Sequence, residues 1–391
     1  MIFKCKNCGG VIEYSVEKDR MVCGYCRSEF RVDELTQSSY SGETELEESI
    51  EEEEIQQPVE TDFIKMQIVR CTACGAELAV NGVETSTFCA YCGQATVIKD
   101  RIDNVLKPNY IIPFKVTKNE AERIIRDELN KGYYIPEAIK NFEVEKIRGI
   151  YVAFWMFDIR YKDFQNWIYE NKYKKERVEY VEAEAFFEKI TLDASSQLDD
   201  DTSVRLEPYD MRELRGFDMA YLSGYYSDRF DVKVNDVHDK AISRVKEYFN
   251  KLAEKRLKHE GGWLAKSSPI HKVTKTEYAL LPVWFLTFNF DNKPYTILVN
   301  GQTGKMVGAV PAVRSKVYLT ILLAFLVLFG FGMISFSLLY KVINAFSFAI
   351  NAIIILIMIL IGRQKYDEFK KSISLTTEVK TNRYMKERQD R

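Results

Sequence analysis

The sequence predicts an α+β protein in three parts: two small N-terminal β ribbons built on cysteine, a central α+β domain with an antiparallel sheet, and a C-terminal transmembrane helical hairpin. Three observations predict it. All eight cysteines fall in four C-x-x-C pairs before residue 93. Residues 101–312 alternate helix-like and strand-like patterns. Residues 317–340 and 342–362 each lack any charged residue or histidine.

The cysteine pairs are Cys5/Cys8, Cys23/Cys26, Cys71/Cys74 and Cys89/Cys92. Within residues 1–32 two pairs are separated by fourteen residues, and residues 63–100 repeat that spacing. Cys8-Gly9 matches Cys74-Gly75, and Gly24-Tyr25-Cys26 matches Ala90-Tyr91-Cys92, so the two ribbons read as an internal duplication. Zinc in a structural site takes four ligands in a tetrahedron; two thiolates on one tight turn supply half of it, and a second knuckle brought alongside supplies the rest. Gly9, Gly24, Gly75 and Gly93 stand in or beside the knuckles, where the chain turns sharply. Two structural Zn2+ sites are therefore expected, with Cys5, Cys8, Cys23 and Cys26 in one and Cys71, Cys74, Cys89 and Cys92 in the other. Cysteines confined to two compact units point to metal binding in a reducing compartment rather than to a disulfide framework. With every ligand from protein no coordination position is left for water or substrate, so the metal is expected to brace rather than to catalyse.

Between the ribbons, residues 33–62 carry twelve Asp or Glu and no Lys or Arg. Such a stretch buries too little apolar surface to offset its ordering entropy, and it reads as a disordered spacer that lets the ribbons move independently.

In the central domain Tyr110 to Val116 reads as a strand. Thr117 with Glu120 forms a capping-box signal for a helix to about Lys131. Ile147 to Ile159 is strongly apolar and aromatic and reads as a central strand, with two or three β segments from Asn166 to about Leu192. Asn235 opens a helix to about Lys258, whose apolar positions Val237, Ala241, Val245, Tyr248, Phe249 and Leu252 recur at helical spacing. Tyr278 to Phe290, Tyr295 to Val299 and Lys305 to Val310 form a meander joined by the turns Asp291-Asn292-Lys293 and Asn300-Gly301-Gln302-Thr303-Gly304. Gly301 to Lys305 superficially suggests a phosphate loop, but its spacing is wrong and strands flank it on both sides.

Each C-terminal apolar segment is long enough to cross a hydrocarbon core of about 30 Å at about 1.5 Å per residue. Arg314 and Lys316 precede the first; Arg363, Lys365, Lys370 and Lys371 follow the second and open a basic tail, residues 363–391. The positive-inside rule then places both ends in the cytoplasm, and the N-terminus lacks the apolar region of a signal peptide. The expected location is the cytoplasmic membrane, multi-pass.

Net charge is −2, which gives no general push toward nucleic acid, and the acidic spacer would repel phosphate. No nucleophile elbow, dinucleotide fingerprint or Walker motif occurs, and His238, His259 and His271 form no ligand spacing. The chain is read as not an enzyme, with no small-molecule substrate.

The layout resembles the bacterial membrane-anchored TFIIB-type zinc-ribbon proteins associated with phage-shock-type envelope-stress modules. The resemblance runs through the ribbons C-K-N-C-G-G and C-A-Y-C-G, Ile112-Pro113-Phe114, the segment from Gly149 to Asp158, Leu281 to Phe288 and Asn300 to Gly308. It implies a membrane-tethered adaptor that recruits soluble proteins, with a phage-shock-type or membrane scaffold protein as partner. A membrane-attached nucleic-acid-binding protein is the alternative.

Overall fold

The computed structural model describes residues 3–36, 62–72, 75–80, 89, 91, 99–143, 146–170, 176–196, 198, 200–257, 262–291, 293–308 and 310–341. In chain order the strands are β1 (Ile12–Ser15), β2 (Arg20–Cys23), β3 (Glu29–Phe30), β4 (Phe63–Arg70), β5 (Glu77–Val80), β6 (Lys99–Leu106), β7 (Tyr110–Ile111), β8 (Ile147–Glu170), β9 (Glu176–Asp193), β10 (Arg215–Gly216), β11 (Tyr226–Asp228), β12 (Trp263–Phe290), β13 (Lys293–Asn300) and β14 (Met306–Gly308). The helices are α1 (Val32–Thr36), α2 (Lys118–Lys131), α3 (Glu137–Lys140), α4 (Asp200–Leu206), α5 (Val234–Leu257) and α6 (Arg314–Lys341).

The fold is mixed α/β around one large sheet. Strands β1, β2 and β3 form a small antiparallel sheet, while the other eleven belong to a single sheet ordered β10-β7-β12-β8-β11-β5-β4-β6, with β13 and β14 continuing from β12 and β9 lying on β8. The sheet is not purely antiparallel: β11 runs parallel to β8, and β7 parallel to β12.

The long antiparallel ladder between β8 and β12 forms its spine, paired from Ile147↔Leu286 to Ile168↔Trp263 with register shifts at Leu264/Lys266 and Val273/Lys275. The run from Ile150 to Phe157 is buried at every position. This is the signature of a strand covered on both faces. Tyr151, Ala153, Trp155 and Phe157 enter one core with Ile125 of α2 and Val245 of α5. Ile150, Val152 and Phe154 enter a second core with Leu206 of α4 and with Cys71, Cys89 and Tyr91. From Ile159 onward β8 changes to strict alternation, because α5 covers only one face there; Tyr161 packs on Phe249 with ring centroids 4.9 Å apart. The change coincides with a β-bulge between Phe157 and Ile159, where Lys189 of β9 takes a positive φ of 54° and its amide donates to Asp158 at 2.8 Å.

The capping box of α2 is complete: the Glu120 amide donates to Thr117 Oγ1 and the Thr117 amide to the Glu120 carboxylate. The Asn300 turn is a structural knot, not a phosphate loop. Asn300 is fully buried; its Nδ2 donates to the carbonyls of Leu206 (3.0 Å) and Pro208 (3.3 Å), and its Oδ1 accepts from the amides of Gln302 and Thr303, both at 2.9 Å. Gly301 has no room for a side chain, since a Cβ would stand 2.6 Å from the Phe114 ring.

Three expectations are corrected. First, among the described residues no helix is long and apolar enough to cross a membrane. α6 occupies the place of the first expected span. Residues 342–391, with the second expected span and the basic tail, lie outside the described residues. The transmembrane hairpin, the multi-pass cell-membrane location and the membrane as a partner are therefore set aside, and with them the positive-inside argument. Second, the acidic spacer does not begin at residue 33: Val32–Thr36 is a helix that buries Leu35, and residues 37–61 lie outside the described residues. Third, the segment read as a second free ribbon is part of the main sheet, with β4, β5 and β6 paired to one another and β5 paired to β11.

Replacing Asn300 by Ala leaves the Leu206 and Pro208 carbonyls buried without their donor. Unfolding in urea should show a loss of about 2–4 kcal/mol. A variant within about 0.5 kcal/mol of the parent would mean the turn is not a stability determinant.

Candidate metal centre

The first ribbon folds because each C-x-x-C turn closes on itself. The Cys5 amide donates to the Gly10 carbonyl at 2.8 Å and the Gly9 amide to the Cys5 carbonyl at 2.8 Å, with Gly9 at a positive φ of 73°. The second knuckle repeats this with the Cys23 amide on the Ser28 carbonyl and the Arg27 amide on the Cys23 carbonyl, each at 3.0 Å, and Arg27 at φ 59°. Antiparallel β1 and β2 then bring the knuckles together, through Ile12↔Cys23.

The four sulfurs of Cys5, Cys8, Cys23 and Cys26 all lie within 4.8 Å of one another. Cys5 to Cys26 and Cys8 to Cys23 are both 3.5 Å. A disulfide would need about 2.05 Å. A tetrahedron with metal–sulfur bonds of about 2.3 Å has edges of about 3.8 Å, so the quartet has the size of a tetrathiolate cage. The cluster could hold a metal ion.

Donors already point at the sulfurs. The Asn7 amide donates to Cys5 Sγ at 3.4 Å, and the Ser28 hydroxyl lies 3.1 Å from Cys26 Sγ. Ser28, through hydroxyl and amide, pulls the Cys26 thiol down to about 6. The Cys26 amide lowers Cys23. For Cys8 the Gly10 amide pulls the same way, but the neighbouring sulfurs of Cys26 and Cys23 push its thiol up to about 12. Packed without a cation, the four sulfurs cannot all ionise; a divalent ion at their centre removes that conflict. Cys5 and Cys23 are buried, whereas Cys8 and Cys26 are exposed.

The ribbon is seated on the sheet domain by residues the sequence did not single out. Arg215 Nη1 and Nη2 grip Asp19 Oδ1 and Oδ2 at 2.8 and 2.7 Å. The Tyr14 hydroxyl donates to the same carboxylate at 2.5 Å, and its ring meets Tyr221 edge-on at 5.2 Å. The Ser223 hydroxyl donates to the Ile12 carbonyl at 2.9 Å in a buried contact. Arg215 holds the Asp19 carboxyl below the ordinary carboxylate range. The partners lie 196 residues apart, and only the turn before β2, with Asp19 at φ 49°, marks one of them locally.

The second set of cysteines is only partly within the described residues: Cys74 and Cys92 lie outside them. Cys71 and Cys89 are buried in the second core. The knuckle geometry of the first ribbon recurs here, with the Cys71 amide on the Ala76 carbonyl and the Gly75 amide on the Cys71 carbonyl, both at 2.9 Å, and Gly75 at φ 75°. Tyr91 packs edge-on against Phe285 at 5.2 Å, and its carbonyl accepts from the Thr287 hydroxyl at 3.1 Å. Asp228 of β11 lies beside Tyr91; burial pushes its carboxyl up to about 7, while Ser195 and the Tyr91 phenol draw it back.

No family model matches this chain, and no solved structure matches it. Among curated proteins it is similar to one from Bacillus subtilis (strain 168) described as "Uncharacterized protein YdjG", at 30% identity over 236 residues, covering 57% of this chain and 69% of the relative.

Two predictions follow from the seams. Asp19 titrates below its unfolded value, so the Arg215 contact stabilises above the unfolded carboxyl value of about 3.9 and fades as pH falls through the lower folded value. Both side chains are partly solvated, so Arg215→Met should cost only about 0.5–1 kcal/mol at pH 7, and the gap should close in acid. Asp228 has the opposite sign. Its folded value near 7 exceeds the unfolded one, so its contribution is full below about pH 4 and is lost as pH rises through 7. Asp228→Asn should therefore flatten the decline of stability between pH 4 and 7, by on the order of a few kcal/mol, in denaturant titrations across that window.

Proposed function

The chain belongs to the family of YdjG of Bacillus subtilis, and we propose that it works as a zinc-ribbon adaptor, a non-enzymatic protein whose metal-braced surface captures a protein partner. The observation that carries this reading is the cage of Cys5, Cys8, Cys23 and Cys26, whose four sulfurs lie within 4.8 Å of one another. Thiolate ligands in tetrahedral array favour zinc, and four protein ligands leave no site for chemistry at the metal. The ion neutralises part of the thiolate charge and locks two turns that a ribbon of this size cannot hold by burial alone. Asn7, Ser28 and Gly10 orient the sulfurs, and Arg215 orients the whole ribbon.

A second zinc is proposed at Cys71, Cys74, Cys89 and Cys92, supported by the recurrence of the Cys5 hydrogen-bond pair at Cys71. In both sites the first cysteine of each pair is buried, Cys5 and Cys23 in the one and Cys71 and Cys89 in the other. The first ribbon exposes Cys8 and Cys26 beside Tyr25, which is 84% exposed, and that edge is the proposed capture surface. The resemblance to ribbon proteins of envelope-stress modules makes soluble stress proteins the class of cargo to test.

The test is zinc analysis of the full-length protein, combined with crosslinking and affinity purification from cells with zinc retained. Two equivalents of zinc are expected, falling to one in Cys5→Ser/Cys8→Ser, together with loss of a protein partner and a lowered thermal transition, because the ribbon walls the main core. Undiminished capture by that variant, or recovery of nucleic acid alone, would overturn the adaptor reading.

A further inference from the structure

The four sulfurs of the first ribbon are not equivalent. They face one another in two pairs across the knuckles, Cys5 with Cys26 and Cys8 with Cys23, each 3.5 Å apart. Each pair joins one buried cysteine to one exposed one. Solvent therefore reaches the cage through Cys8 and Cys26.

These two exposed sulfurs are guarded differently. Ser28 Oγ stands 3.1 Å from Cys26 Sγ and accepts from Asn7 Nδ2 at 2.9 Å. A metal-bound thiolate at Cys26 carries no proton, so the hydroxyl is the donor. Asn7 lies in one knuckle and Ser28 beside the other, so this relay runs from knuckle to knuckle and ends on Cys26. Cys8 has no such clasp among the described residues: its hydrogen-bond partners are the Gly10 amide and the neighbouring sulfurs. A thiolate that accepts a hydroxyl hydrogen bond is the poorer nucleophile, because that bond is given up as its electron pair is used. Cys8 is thus both exposed and unclasped, and its contact across the knuckles is the buried Cys23. An accessible thiolate beside a second sulfur that can resolve it is the arrangement of an oxidation site.

We propose, on the reading of the cage as a zinc site, that Cys8 is the point at which hydroperoxides attack the first ribbon, and that the product is a Cys8–Cys23 disulfide with loss of the metal. The Cys8 thiolate attacks the peroxide; an S–O bond forms, the O–O bond breaks and hydroxide leaves, so that Cys8 becomes a sulfenic acid. The Cys23 thiolate then attacks that sulfur; the S–S bond forms and a second hydroxide leaves. The two sulfurs lose two electrons in all, and one hydrogen peroxide becomes two hydroxides. The sulfurs close from 3.5 Å to about 2.05 Å, and the exposed turn of Cys8 supplies the movement. Two of the four ligands are then lost, and Cys5 with Cys26 does not hold the ion against a chelator. The edge that carries Tyr25 loses its brace, so peroxide releases a captured partner.

The experiment is a hydrogen peroxide titration of the full-length, zinc-loaded protein. Released zinc is read with a chromogenic chelator, and the cysteines are mapped by peptide mass spectrometry after alkylation. Zinc should leave in step with the Cys8–Cys23 crosslink, while Cys5 and Cys26 still alkylate. Ser28→Ala should keep the zinc content and thermal transition and open a second route, a Cys5–Cys26 crosslink that forms on the order of tenfold faster than in the parent. Ser28→Thr, which keeps the hydroxyl, should behave as the parent. Zinc that stays bound in excess peroxide, a first crosslink at Cys5–Cys26 or within a C-x-x-C pair, or a Ser28→Ala variant with the parent's pattern would each overturn the proposal and leave the zinc reading standing. A parent whose Cys5 quartet holds no zinc before peroxide is added would overturn both.

Discussion

Everything in this fold follows from a ladder that must be covered on both sides. The segment from Ile150 to Phe157 has no polar face to offer water, and its partner from Tyr278 to Leu286 is nearly as apolar. Once the two strands pair, apolar side chains project above and below, and each face needs its own cover. Helices α2 and α5 close one side and α4 part of the other. The helices do not suffice, and the ribbons complete the cover. Ile12, Met21 and Cys23 of the first ribbon are fully buried in the core that holds Tyr151 and Trp155. Cys71, Cys89 and Tyr91 close the opposite core over Phe154 and Phe285.

This changes what a metal in the first ribbon would do. A free ribbon needs its ion only to fold itself. Here the ribbon is also a wall of the main core, so the order of its thiolate turns reaches Tyr14, Tyr221 and the aromatic packing of Phe114 on Tyr225, 4.4 Å between ring centroids. The Asp19–Arg215 contact is too solvated to hold that wall alone. Burial of the inner strand faces carries the seam, and the ion pair fixes its orientation.

Much of this was legible in the chain. The thiolate quartet followed from spacing, because two C-x-x-C turns joined by a hairpin have few ways to place their sulfurs. The helix after Thr117 was announced by its cap, and the Asn300 turn by its glycines. What failed was tertiary. The sequence shows two similar ribbons, but not that the second is continued by β6 and paired through β5 to β11, since those pairings depend on residues far apart in the chain. Nor does it show the length of β12: Trp263 to Glu277 has neither a continuous apolar run nor clean alternation, and its strand state comes from pairing with β8 alone. The apolar C-terminal segment was read by composition as half of a membrane hairpin; among the described residues no helix meets that requirement.

The same logic accounts for the arm that β8, β9 and β12 form beyond Phe157. Where β8 stops being apolar on both sides its sequence turns to alternation, and the bulge at Phe157/Ile159 lets the strand twist away from the double-sided core. Beneath α5 inward polar groups pair with one another: Asp163 accepts from Gln165 Nε2 and the Ser267 hydroxyl at 2.8 and 2.7 Å, and Trp167 donates to Gln165 at 2.8 Å, while the buried Tyr161 hydroxyl has no hydrogen-bond partner. That network fixes the register of three strands whose edges would otherwise be free to slip. It holds the outward residues in fixed columns. A surface so ordered requires the buried side to be rigid first, which is why polar groups rather than more leucines lie under the helix at this point.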